Sequence, residues 1–192
     1  MMTSPIRTRR WTRREYDRLI EIGVFAPGEP VELLGGELIV GEPQGSRHYT
    51  TVCLVEEALR AAFGSGWVIR TQGPVALDEE SEPEPDVAAA RGTARDYSGE
   101  HPARPVLVVE VAESSLRLDR EHKGSLYARA RLGDYWIVNL VEGVLEIYRE
   151  PVADPTAIYG WRYASRIALG PEASATPLAV PAASIAVRAL LP

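Results

Sequence analysis

Apolar and polar positions alternate along this chain in blocks whose period switches between helical and extended. Thr12 ahead of Arg13-Arg14-Glu15 forms a capping box. Tyr16, Leu19, Ile20 and Gly23 then recur at helical spacing, which predicts a helix over about 12–23. Pro27, Gly28 and Pro30 end it, and two apolar runs at 31–34 and 37–40, split by Gly35-Gly36, predict a hairpin. A second helix is expected over roughly 47–63, capped by Ser46, with His48, Val52, Val55 and Leu59 on one stripe. Residues 67–72 and 74–77 read as a strand or strand pair, and 78–85 as an acidic, proline-broken loop with most of its charges solvated. Strands follow at 86–90 and 105–112, separated by a polar loop long enough to border a site. A helix over about 117–132 stops at Gly133. Strands at 134–140 and 143–149 turn at Glu142-Gly143, and the tail adds a strand at 157–167 and a short element at 182–190. The alternation of strands and helices predicts a single α/β domain with a mixed central sheet and helices on its faces.

Four polar residues interrupt this pattern where it is most apolar. Glu110 stands inside Val106-Leu-Val-Val-Glu-Val-Ala112, where strand alternation puts Val106, Val108, Glu110 and Ala112 on one face and Leu107, Val109 and Val111 on the other. A β-branched run this apolar is buried on both faces, so an ionised carboxylate there needs a cation or several donors. An arginine from elsewhere in the core would serve, and so would a metal ion. Asp86 opens the neighbouring run. Two carboxylates at the ends of adjacent strands repel and raise one another's pKa, and a divalent cation is the usual remedy.

Lys123 is the only lysine among 21 basic residues; every other one is arginine. A compact ammonium does what a planar guanidinium does not, which marks Lys123 as a site candidate. Asp119, Lys123, Tyr127 and Ala130 share one helical stripe, so the pair Asp119–Lys123 is either an ordinary surface ion pair or part of an inward-facing set. His48 faces inward at the first turn of its helix, as a core or capping histidine or as a residue lining a site. Glu32 lies in the first hairpin strand, where an exposed position is the plain expectation.

Composition narrows the class. A chain of 192 residues suits one domain, here 12–192 behind a basic arm at 1–11. One cysteine, Cys53, excludes an internal disulfide or a cysteine-based zinc site and fits a reducing cytoplasm. No apolar run approaches the ~20 residues of a membrane span, and the N-terminus lacks the apolar core of a secretory signal. The net charge of −6 opposes tight general binding of DNA, so local basic patches or a metal would have to offset it.

The order strand-Asp86, strand-Glu110, helix-Lys123 resembles the PD-(D/E)XK nuclease superfamily. More narrowly, VELLGGEL (31–38), the His48 helix, EPDV (84–87), VLVVEVAESS (106–115), the Asp119/Lys123/Tyr127 helix and DYWIVN (134–139) are similar to the Uma-two family of restriction-endonuclease-like proteins. The superfamily lysine usually lies two residues after the strand glutamate; that position here is Ala112, and Lys123 reaches in from the following helix as in this family's own pattern. Gly35 and Asn139 stand where relatives often carry aspartate. The resemblance implies a restriction-endonuclease-like fold and Mg²⁺- or Mn²⁺-dependent hydrolysis of phosphodiester bonds in nucleic acid, with DNA the expected substrate. It assigns Asp86, Glu110 and the Val111 carbonyl to the metal, Lys123 to the water or the phosphorane charge, and Glu32 to an auxiliary acid. Tyr127, Asp119 and His48 become supporting residues. Cutting both strands of a duplex would favour a homodimer. The alternatives are a nuclease-fold binding or assembly module without activity, and a hydrolase of phosphorylated small molecules, against which no glycine-rich phosphate loop is found.

Overall fold

A computed structural model of the chain describes residues 8–192. Of the basic arm, residues 1–7 therefore lie outside the described residues, while Trp11 packs beside Tyr16 and Val31. The first helix, α1 (Arg13–Glu21), starts at the expected capping box: Thr12 accepts from the Glu15 amide, and the Glu15 carboxylate accepts from the Thr12 amide. The hairpin follows as β1 (Val31–Leu34) and β2 (Glu37–Val40), paired Val31 to Val40 through Leu34 to Glu37. Gly35 and Gly36 both take positive φ in its turn, and a side chain on Gly35 would collide with the Tyr159 ring. The turn therefore requires glycine at position 35.

The second helix, α2 (Ser46–Phe63), begins one residue earlier than expected. Gly45 is its N-cap and no side chain caps it, so Ser46 is helical rather than capping. Next come β3 (Trp67–Thr71), β4 (Val87–Arg91), a 3-10 turn over Ala94–Tyr97, and β5 (Leu107–Ala112). The helix expected over 117–132 is shorter and composite. A π-helical turn (Leu118–Lys123) runs into α3 (Gly124–Arg129), with the Gly124 amide donating to the Asp119 carbonyl. A Cβ on Gly124 would stand 3.3 Å from that carbonyl, a tight contact that glycine avoids. Then follow β6 (Asp134–Asn139), β7 (Val144–Ala153), β8 (Trp161–Leu169) and the short β9 (Ser174–Ala175) and β10 (Ile185–Ala186).

Six strands form one sheet in the order β3-β4-β5-β6-β7-β8. Only β5 and β6 run parallel, as the crossover through α3 requires; the other pairs are antiparallel. The mixed sheet of the sequence reading is thus present. Its two faces divide the apolar residues of β5 as alternation demands. Leu107, Val109 and Val111 pack against α2, whereas Val108 and Ala112 face Tyr127 and Ala128 of α3. Glu110 falls on the α3 face.

Two expectations fail in the segment before β4. Residues 74–77 are not a strand. They thread between loops, with the Val75 amide donating to Pro83, Ala76 to Pro102 and Leu77 to Ser81. Nor is the acidic loop solvated: among its acidic residues only Glu79 is exposed. Glu82 pairs main chain to main chain with Leu33, so the segment extends the β1–β2 hairpin and is covered by it.

Glu82 is 4% exposed, and its nearest cation, Arg13, stands 3.9 Å away. Burial, reinforced by Asp17 and Glu84, pushes its pKa up to about 7. A carboxyl raised in the folded state contributes stability that is fully present below its unfolded pKa and lost as pH rises through the folded one. Glu82→Gln is therefore expected to leave stability unchanged near pH 4.5 and to stabilise by about 1–3 kcal/mol near pH 8, read by urea unfolding. Asn139 supplies a second test. Its amide donates to the buried Glu146 at 2.8 Å, and its carbonyl accepts from Val141 and Glu142 in the β6–β7 turn. Asn139→Asp turns the first bond into a repulsion and is expected to cost about 1–3 kcal/mol at pH 7 in the same assay.

Candidate active site

A cleft of about 380 Å³ opens where β1, β4, β5, the N-terminus of α2 and the π-helical turn meet. Each element brings one polar side chain there for a local reason. Asp86 immediately precedes β4, and its Oδ2 accepts from the Val111 amide at 2.8 Å, which fixes the carboxylate across the strand pair. Glu110, 2% exposed, turns its Oε2 towards the Asp86 amide at 3.4 Å. Its Oε1 accepts from the Tyr127 hydroxyl at 2.8 Å and lies 3.1 Å from Lys123 Nζ. Lys123 also reaches Glu32 Oε2 at 3.1 Å, and that oxygen accepts from the Glu84 amide at 3.0 Å.

Glu110 meets an ammonium and a phenol, not an arginine. Asp119 and Lys123 are both buried, so they are not a surface pair, and Lys123 is bridged to Glu32 and Glu110 instead. Asp119 is held by the Ser115 hydroxyl at 2.6 Å, while its main-chain carbonyl accepts from Tyr135 at 3.0 Å. Glu32 is only partly exposed and points into the cleft, contrary to the plain expectation of a solvated strand position. His48 lines the cleft with Nε2 3.3 Å from Asp86 Oδ2; its Nδ1 is buried with no hydrogen-bond partner among the described residues.

The charge balance of the site is uneven. Seven carboxylates line it (Glu32, Glu42, Glu84, Asp86, Glu110, Glu113 and Asp119) against Lys123 and His48. Burial pushes Glu110 well above the usual carboxylate range; Lys123 opposes the shift, and Asp119, Asp86 and Glu32 add to it. Burial likewise raises Asp119 to about 6, against Lys123 and Ser115. Burial alone would discharge Lys123, but Glu110, Glu32, Asp119 and Asp86 outweigh it and hold the ammonium well above its normal pKa. His48 behaves the same way on a smaller scale: burial disfavours the imidazolium, and Asp86 with the Val111 main chain more than restores it.

Glu84 was missed in the sequence. It lines the cleft, and burial together with Glu32 raises its pKa. Its signal was the spacing of two from Asp86 across Pro85, which in extended chain sets both carboxylates on one side.

The oxygens suit a hard divalent ion. Among the described residues no three His, Cys, Asp or Glu side chains converge into a ready-made cage. Mg²⁺ does not require one, because it keeps several waters and takes one or two carboxylates plus a substrate phosphate. Asp86 and Glu110, side by side in a cleft with excess negative charge, match that demand.

A family model named Uma2 and described as "Putative restriction endonuclease" matches residues 13–188. The crystal structure of a putative nuclease belonging to DUF820 from Anabaena variabilis is similar over 90% of this chain and 96% of its own, with a TM-score of 0.64 and 16% identity. At that identity the likeness shows the fold, a nuclease-like one. The type IIG restriction endonuclease BpuSI overlaps 54% of this chain and 11% of its own, at 13% identity and a TM-score of 0.36, too slight to carry an argument. No curated protein matches the chain. With the model spanning nearly its whole length, the chain belongs to the Uma2 family of restriction-endonuclease-like proteins.

Proposed function

We propose that the protein is a divalent-metal-dependent nuclease that hydrolyses phosphodiester bonds in DNA. The observation that carries this is the single buried ammonium of Lys123, 3.1 Å from Glu110 and Glu32, beside the Asp86 carboxylate in an open cleft rich in further acids. Asp86, Glu110 and the Val111 carbonyl would hold Mg²⁺ or Mn²⁺. When bound, the ion would polarise the scissile phosphate and lower the pKa of a water.

The remaining work falls to side chains. Lys123 donates to the attacking water or to the phosphoryl oxygen on which charge develops, and Glu32 aims it by the 3.1 Å contact. Tyr127 fixes the rotamer of Glu110 from below, and Ser115 does the same for Asp119. His48 presents a donor on the opposite wall, next to Asp86. In the balanced reaction, water oxygen bonds to phosphorus as the bond to the leaving oxygen breaks. The water proton is lost to the carboxylate-rich cleft, and the leaving oxygen gains one from solvent or from His48. Two copies would be needed to cut both strands of a duplex in one encounter.

The assay is cleavage of a panel of double- and single-stranded DNA and RNA with Mn²⁺ or Mg²⁺, repeated in chelator. Metal-dependent cleavage of DNA is expected. A protein that cleaves nothing and takes up neither ion would instead be a binding or assembly module. Lys123→Arg sharpens the test. The guanidinium is wider and planar, and the ammonium it replaces is only 4% exposed. Cleavage is expected to fall at least roughly tenfold, together with a lower melting temperature because the larger head does not fit between Glu32 and Glu110. Equal cleavage by both proteins would remove Lys123 from the catalytic assignment.

A further inference from the structure

Most described arginines stand within 4 Å of a carboxylate. Among the described residues seven do not: Arg10, Arg14 and Arg131 lie elsewhere, but Arg70, Arg91, Arg95 and Arg104 all belong to the stretch from β3 to the start of β5. Asp96 and Glu100 are the only acids in the connecting loop between β4 and β5, and Asp96 is committed to capping Thr93. In a chain of net charge −6, this sheet edge is therefore locally positive.

Two of these arginines are held in place. The Arg91 guanidinium lies over the Trp67 ring at 4.5 Å, and that of Arg70 over the Tyr97 ring at 5.9 Å. The Tyr97 hydroxyl in turn donates to the Arg91 carbonyl at 2.8 Å, tying the 3-10 turn to the end of β4. Arg70 donates from Nη2 to His101 Nδ1 at 3.2 Å, and its Nε is buried without a partner among the described residues. A donor-only arginine on Nδ1 leaves the His101 ring with its N–H at Nε2, a further donor on this surface.

The strip adjoins the cleft. Strand β3 is the terminal strand of the sheet, and Gln72, the residue after it, lines the cleft and donates to Gln44 on the opposite side at 2.6 Å. Arg70 lies two residues before Gln72; Arg91 pairs with Trp67 at the far end of the strand. The three residue steps from Arg70 to Trp67 cover about 10 Å, or about three nucleotides of a strand at ~3.4 Å each. The register brings Arg70 to the edge from the face of Ala88 and Arg91 from the opposite face, with Trp67.

We propose that Arg70 and Arg91, flanking the free edge of β3, grip the phosphate backbone of duplex DNA on one side of the cleft. The proposal rests on the nuclease reading of that cleft. Duplex is favoured over single strand because both aromatic rings are already covered by guanidinium groups. They are not free to stack on bases, whereas the arginines they hold flat offer N–H edges to phosphate. The strip also supplies the local positive charge that an acidic chain needs to bind a polyanion.

The test is fluorescence anisotropy of a labelled duplex oligonucleotide over a salt series in chelator, with Arg70→Ala, Arg91→Ala, the double variant and the matching lysine variants. Hydrolysis of bis-(p-nitrophenyl) phosphate with Mn²⁺ is measured in parallel, since that small diester reads the cleft alone. The double alanine variant is expected to bind duplex at least about tenfold more weakly and to flatten the salt dependence by about 0.9 per lost contact. Lysine variants should keep the salt slope, and diester hydrolysis should be unchanged throughout. Unaltered duplex affinity and slope in the double variant, no duplex binding by the wild type, or a loss confined to single strands would each overturn the proposal. Arginine-dependent duplex binding by a wild type that hydrolyses no diester would uphold the strip and reject the nuclease reading instead.

Discussion

The Lys123 ammonium is the point on which the cleft depends. It joins three elements: the β1–β2 hairpin through Glu32, the central sheet through Glu110, and the π-helical turn that carries Lys123 itself. Glu110 is held in an apolar strand by that ion pair and by the Tyr127 hydroxyl. Without the lysine, the carboxylate would have to take up a proton or stay ionised in the core, the latter a loss on the order of 3–5 kcal/mol. The ammonium in turn is kept charged by its acidic neighbours. Neither member is stable there alone.

The structure around this pair is asymmetric. Below it, Tyr127, Tyr135, Tyr148 and Tyr163 pack into a buried aromatic layer against the sheet and lend hydroxyls to Glu110, Asp119, Glu146 and Leu132. Above it, the cleft is lined by carboxylates with few cations. Burial first, and that crowding second, raise the pKa of Glu110, Asp119 and Glu84 and oppose folding with all three ionised. Groups so perturbed in a cleft are the usual mark of a site that works on a ligand. By contrast, Glu146 is met by Arg120, Arg166, Asn139 and Tyr148, which overcome its burial and lower its pKa to about 2, as befits a structural carboxylate.

Much of this was legible in the sequence because it depends on local pattern. The hairpin and β6 follow from turn glycines and short apolar runs. Glu110 and Asp86 showed themselves by breaking such runs, and Lys123 by being the sole lysine. What stayed hidden depends on distant contacts. Residues 78–85 look like a solvated loop until Glu82 pairs with Leu33, and only then does Glu84 enter the cleft. The expected helix at 117–132 opens with a π turn closed by the Gly124 amide on the Asp119 carbonyl, which no periodicity reveals. Ser46 has the composition of a cap, yet the chain turns into the helix at Gly45.

The central claim is that Asp86 and Glu110 together hold a divalent ion. Anomalous diffraction from crystals soaked in Mn²⁺ tests it most directly. The account predicts a peak bridging the two carboxylates at roughly 2.0–2.3 Å, beside the Val111 carbonyl, with waters completing the shell. A peak bound to other residues, or no peak at saturating Mn²⁺ with Lys123 still bridging Glu110 and Glu32, would contradict it.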